Sequence, residues 1–142
     1  MFTTMNFTKI FSISLVSLPL TNAHELDIVW YAPQWPVISF NSLPNLHTIR
    51  FKSYVHPSNM VCVDLADDGH SHQLRSLRSL QFSYMTFSDE GISNLMDDLK
   101  HRLLSGFPIE YIRFDECSNL KQADVMRMKE FVQDVEWDNA KY

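Results

Sequence analysis

The residue types able to do chemistry in this 142-residue chain gather in one segment. Asp64, Asp67, Asp68, His70 and His72 supply carboxylate and imidazole groups, the donors that hold divalent cations. Their spacing matches no ligand loop, because a calcium loop needs a glutamate at its twelfth position and zinc sites converge from two separated pairs. The segment reads as a solvated turn around Asp67-Asp-Gly-His70, with a metal-dependent enzyme as the competing reading. His24, His47, His56 and His101 are scattered, and no serine or cysteine has the context of a nucleophile elbow. The only glycines are Gly69, Gly91 and Gly106, too few to cradle a nucleotide phosphate. The net charge is -5 and no lysine or arginine run occurs, so the attraction that dominates nucleic-acid binding is missing. The expectation is a non-enzymatic protein with no cofactor, no metal and no nucleic-acid partner.

Length and composition set the frame for whatever positions these residues. The hydrophobic share is 45% and the charged share 20%, ordinary for one globular domain. The two cysteines, Cys62 and Cys117, make a reducing compartment the default, cytoplasmic or nuclear. The amino terminus offers an alternative. Lys9 precedes an apolar stretch from Ile10 to Leu20, and Thr21-Asn-Ala23 resembles a signal-peptidase site, so a secreted protein cleaved after Ala23 is the second reading. The stretch is short for a membrane span, and no membrane partner is expected. Residues 1–20 form an apolar edge or signal-like segment, and residues 21–142 the domain proper. As an edge, residues 1–20 are too apolar to cap a stack well, and are expected to fold over the first strand or to promote association.

An internal repeat organises the chain. The phrase apolar-x-x-apolar-x-apolar recurs as Ala23/Leu26/Ile28, Leu46/Ile49/Phe51, Leu77/Leu80/Phe82, Ile109/Ile112/Phe114 and Val132/Val135/Trp137. Its middle positions are separated by 23, 31, 32 and 23 residues. If the last two residues of each phrase point inward on a strand, their neighbours point outward. All ten inward positions are apolar, whereas Val29 and Tyr111 are the only apolar ones among the fifteen outward positions. Trp137 is thus an inward strand residue and Trp35 part of an apolar return, so core packing explains both better than a ligand site does.

The returns follow from local signals. Ser88 caps a helix with Asp89 and Glu90 in its first turn; Ile92, Leu95, Met96, Leu99 and Leu103 share one face, and Gly106 with Pro108 ends it. A second helix is predicted from Gln122 to Val132, with Val125, Met128 and Phe131 or Val132 inward. Pro33, Pro36 and Pro44 restrict the first return to a short helix near Trp35 to Ser42. Ser58 to Ala66 fits either a short helix or an extra strand.

Strand, return and strand again imply right-handed parallel connections and a stacked solenoid. The fold class is α/β: a short leucine-rich-repeat solenoid with a parallel sheet of about five strands and helical or irregular returns. Ile109-x-x-Ile112-x-Phe114-x-x-Cys117-x-x-Leu120 follows the leucine-rich-repeat consensus except in its last spacing. Cys117 there turns inward to satisfy backbone groups, as a structural thiol.

Several motifs together carry a family resemblance: Leu18-Pro-Leu20 with Glu25-Leu26; Trp35 with Leu43-Pro-Asn-Leu46; Gly106-Phe-Pro-Ile109 leading into Cys117-Ser-Asn-Leu120; and Val132 with Val135-Glu-Trp-Asp138. Residues from about Leu18 to Asp138 resemble the carboxy-terminal leucine-rich-repeat region of fungal F-box-like proteins of the mushroom type. The resemblance implies a substrate adaptor of a Skp1-cullin ubiquitin ligase, whose repeats hold a protein destined for ubiquitylation. The F-box itself is absent from this sequence, so Skp1 is expected as a partner only if an F-box lies upstream. The face expected to hold the protein partner comprises Thr48, Arg50, Lys52, Ser79, Gln81, Tyr111 and Arg113. Glu25 and Asp27 should lie beside Arg50 and Lys52, and Arg113 beside Asp134 and Glu136, in pairs that largely cancel.

Overall fold

The computed structural model describes residues 2–7, 12–14, 22–30, 37–39, 44–53 and 74–139. Their elements, in chain order, are strands β1 (Phe2–Phe7), β2 (Ser12–Ser14), β3 (Glu25–Trp30), β4 (Val37–Ser39), β5 (Thr48–Ser53) and β6 (Ser79–Ser83), helix α1 (Asp89–Leu104), strand β7 (Tyr111–Asp115), helix α2 (Gln122–Met128) and strand β8 (Asp134–Trp137). Six strands form one sheet in the order β1-β3-β5-β6-β7-β8, and β2 pairs with β4 in a second. Every pairing is parallel.

The five phrases align without a slip. Leu26, Ile49, Leu80, Ile112 and Val135 share one row across the strands, and Ile28, Phe51, Phe82, Phe114 and Trp137 the next. Inward residues of β5, β6 and β7 are buried and their neighbours are not, as a two-residue period requires. A one-residue slip would move every one of these apolar side chains to the opposite face. The sheet has one strand more than the phrases predict, because Phe2–Phe7 pair with Glu25–Trp30 beside the first phrase.

The buried rows build an aromatic stack. The Phe82 ring lies 5.3 Å from that of Phe51 and 5.4 Å from that of Phe114, nearly parallel to both. Phe87 closes the stack edge-on, 5.5 Å from Phe82 and 5.6 Å from Phe114. These offset and edge contacts are the arrangements that the ring quadrupole favours.

Helix α1 starts as predicted: the Gly91 amide donates to the Ser88 hydroxyl at 2.9 Å. Its buried face differs in one position. Leu103 is 42% exposed and Arg102 is buried instead. Arg102 stands three residues after Leu99 and seven after Leu95, on the same stripe. Its guanidinium donates to the carbonyls of Leu74 and Leu77 at 2.9 and 3.1 Å, fastening the helix to the turn that enters β6. The helix ends in a Schellman motif, with the Phe107 amide donating to the Arg102 carbonyl (3.0 Å) and the Gly106 amide to that of Leu103 (3.2 Å). Gly106 has φ +84°, and an added Cβ would meet nothing within 4 Å. Gly106→Ala is therefore expected to cost only the backbone strain, about 1 kcal/mol, measurable by urea unfolding.

Two predicted returns are corrected. Helix α2 stops at Met128 rather than Val132. Three-residue closures from Glu130 to Arg127 and from Phe131 to Met128 tighten its end, so that Val132 is buried at the entry to β8. Val37–Ser39, within the short helix predicted near Trp35 to Ser42, is a strand paired with Ser12–Ser14. Val37 and Ile38 are β-branched and follow Pro36, a context that favours extended backbone. The Ser58 to Ala66 segment lies outside the described residues.

Strands β5, β6 and β7 also begin on a repeated bond pattern. The carbonyls of His24, His47 and Arg78 each accept two amides from the next turn of chain, those of residues 47 and 48, 78 and 79, and 110 and 111. After the strands, Tyr84, Glu116 and Asn139 all have φ between 50° and 57°. That left-handed residue turns the chain so that Met85 and Cys117 enter the core.

Candidate interaction face

The solvent side of the sheet carries all seven residues predicted to form an interaction face. Register places Thr48, Ser79 and Tyr111 in one row and Arg50, Gln81 and Arg113 in the next, with Lys52 in the row of Ser83. Adjacent strands are about 4.8 Å apart, so these side chains form one continuous surface. Alternation brings them there, since each is the outward neighbour of a buried residue.

The charges on this face engage one another. An Arg50 Nη donates to Glu25 Oε2 at 3.0 Å and to Asp27 Oδ1 at 3.2 Å, as the adjacency of β3 and β5 predicts. The bond to Glu25 is the main reason its guanidinium holds its proton more tightly than usual. Lys52 has its ammonium 5.8 Å from the centre of the Tyr84 ring. Arg113 departs in part from expectation. Its Nε lies 2.9 Å from Asp115 on its own strand, while Glu136 is 3.9 Å from its Nη. Asp134 instead shares a row with Tyr111. The Tyr111 hydroxyl donates to Glu136 at 3.0 Å, and its proton is held above the ordinary tyrosine range, by burial first and by Glu136 second.

Between these flanks lies β6, whose outward residues Ser79, Gln81 and Ser83 are uncharged and half-buried. The face therefore reads acidic on β3, basic on β5, neutral on β6, balanced on β7 where Arg113 pairs with Asp115, and acidic on β8. Its neutral centre is where an incoming chain would displace the least bound charge. Pairing at such exposure contributes about 0–1 kcal/mol per pair, and its larger effect is to hold the long side chains in place.

No other predicted chemistry assembles among the described residues. Asp64, Asp67, Asp68, His70, His72, His56 and Cys62 lie outside them, and no group of three or more His, Cys, Asp or Glu within them is arranged to hold a metal ion. His24 and His47 are exposed, with ring centres 5.5 Å apart in an edge-on contact. His101 is exposed on α1. Cys117 is buried, and its one thiol proton lies between two acceptors, the carbonyls of Phe82 (3.3 Å from Sγ) and Asp115 (3.4 Å). Burial pushes this thiol up to about 12, so it is not a nucleophile at neutral pH.

Sequence reasoning missed Tyr84 and Trp137 as surface-defining groups. Tyr84 is turned to the solvent side by its positive φ, which no residue type at that position advertises. Trp137 is only partly buried because its strand is the last in the sheet order, and its Nε1 is buried with no acceptor among the described residues. No described helix is long and apolar enough to cross a membrane. No family model, curated protein or solved structure matches the chain.

Proposed function

We propose that this chain is a non-enzymatic protein-binding module, a short leucine-rich-repeat solenoid that holds a polypeptide on the outward face of its sheet. The observation that carries the reading is the in-register face of Thr48, Arg50, Lys52, Ser79, Gln81, Tyr111 and Arg113, an extended surface set on the side of the sheet opposite the buried rows. The solenoid reading draws support from bonds that continue between turns past the strands: Ser118 N to Met85 O at 2.8 Å, Phe87 N to Ser118 O at 3.1 Å, and the Asn119 side chain to Phe87 O at 2.5 Å. Cys117 stands where the repeat consensus places an inward polar group, and both it and Asn119 bond to the preceding turn. The resemblance to F-box-like proteins makes a ubiquitylation substrate the partner class.

Charge reversal at Arg50 would break its pairs with Glu25 and Asp27, so the neutral strand gives the cleaner test. A photoreactive side chain placed at Gln81 is expected to yield a protein adduct of one defined mass in living cells, and Ser79→Arg is expected to suppress that adduct. The same group at Lys100, exposed on α1, should not yield it. Equal adducts from both positions would sink the proposal.

A further inference from the structure

We infer that the free edge of β8 is a second docking site, one that adds an extended peptide of alternating basic and apolar residues to the sheet. Strand β8 is last in the sheet order and bonds to β7 along one side. The Asp134 and Asp138 amides donate toward β7, to Glu110 O at 2.9 Å and Phe114 O at 3.3 Å. Alternation along a parallel strand then turns the amides and carbonyls of Val135 and Trp137 toward the opposite, open edge. That edge takes no ladder partner among the described residues.

The two faces flanking the edge differ in chemistry. On the core side, α2 and β8 leave a shallow hollow of about 210 Å³ whose lining mixes apolar Val125, Met126, Val135 and Trp137 with polar Gln122, Lys129 and Asn139. Met126 is 58% exposed there. On the solvent side stand Asp134, Glu136 and Asp138, all exposed; Glu136 accepts from the Tyr111 hydroxyl and Asp138 from the Glu116 amide, and both keep their negative charge beside the edge. An added strand must place apolar side chains toward the hollow and the alternate ones beside three carboxylates, so complementarity selects lysine or arginine at those positions. The molecule already contains this pairing, where acidic β3 lies beside Arg50 of β5. A second copy of β8 in antiparallel pairing is disfavoured, since it would set the carboxylates of one copy against those of the other.

The site lies at the margin of the sheet and does not depend on the β6-centred face, so either can fail alone. The test uses the full chain with three synthetic eight-residue peptides. One alternates lysine with valine and leucine, one holds the same residues in two blocks, and one alternates glutamate with valine and leucine. The alternating lysine peptide is expected to bind and to slow hydrogen exchange at the Val135 and Trp137 amides. The block and glutamate peptides should bind at least about fivefold more weakly. Asp134→Lys and, separately, Met126→Lys should each weaken the alternating lysine peptide by about fivefold, both being exposed positions that the fold tolerates. Equal binding of the alternating and block peptides, binding without protection of those two amides, or self-association through β8 in the free protein would each overturn the inference.

Discussion

Replacing Phe82 by alanine is expected to remove about 3–5 kcal/mol of folding stability, as large a loss as a buried aromatic side chain ordinarily gives. Phe82 is 3% exposed on β6 and its ring is stacked from both sides, by Phe51 and Phe114. The substitution takes away the transfer free energy of the ring and the contacts of three aromatic pairs, each worth about 0.5–1.5 kcal/mol beyond burial. The void cannot collapse easily, because β5 and β7 are held at fixed spacing by their ladders to β6. Against a typical domain stability of about 5–15 kcal/mol, such a loss brings the chain near its unfolding threshold. Phe82→Leu keeps most of the volume and should cost less than half as much. Urea unfolding of both variants measures the difference; a loss below about 2 kcal/mol for the alanine variant would mean that the stack is not formed.

The second large effect is alkaline. Cys117 has its thiol proton held up to about 12 against an ordinary 9.0, because burial disfavours the thiolate. A proton held more tightly in the folded state stabilises that state fully below about pH 9. The contribution is lost as pH rises from there toward 12, and amounts to about 4 kcal/mol once both forms are ionised. The Tyr111 hydroxyl, also raised, pulls in the same direction, so the wild-type slope alone does not isolate the thiol. The comparison is with Cys117→Ala. At pH 7 the variant should be the less stable, having lost a packed side chain and its shared hydrogen bond to Phe82 and Asp115. By pH 11 the gap should shrink by about 2–3 kcal/mol and change sign if the neutral-pH loss is smaller than that. Parallel pH profiles for the two proteins would show that the thiol does not titrate with unfolding.

The legible part of this fold is the part written as alternation. Leu80 and Phe82 between Ser79, Gln81 and Ser83 leave one register that buries both and exposes the rest, and the other phrases repeat that solution. The strand from Phe2 to Phe7 escaped because its register partner for Leu26 is Thr3, a polar residue at a position where every other phrase is apolar. Arg102 was hidden for the opposite reason. A charged residue on an apolar stripe reads as exposed until two carbonyls from the turn before β6 are seen to accept from it. The seven face residues were likewise legible from alternation alone. Their engagement was not: whether Arg113 turns to Asp115 on its own strand or to Asp134 across the gap depends on side-chain rotamers that spacing does not encode.

The order of the strands in the main sheet follows the order of the chain, and each bonds only to its immediate neighbours. Under tension this arrangement behaves as a zipper rather than a clamp. A load pulling β1 and β8 apart across the strands meets the ladders one row at a time, starting at an edge, instead of shearing all of them at once. Detaching β7 from β6 would release the 32-residue interval from Leu80 to Ile112, roughly 110 Å of contour. The protein should therefore lengthen in a staircase at low force, each step reporting the length of one return.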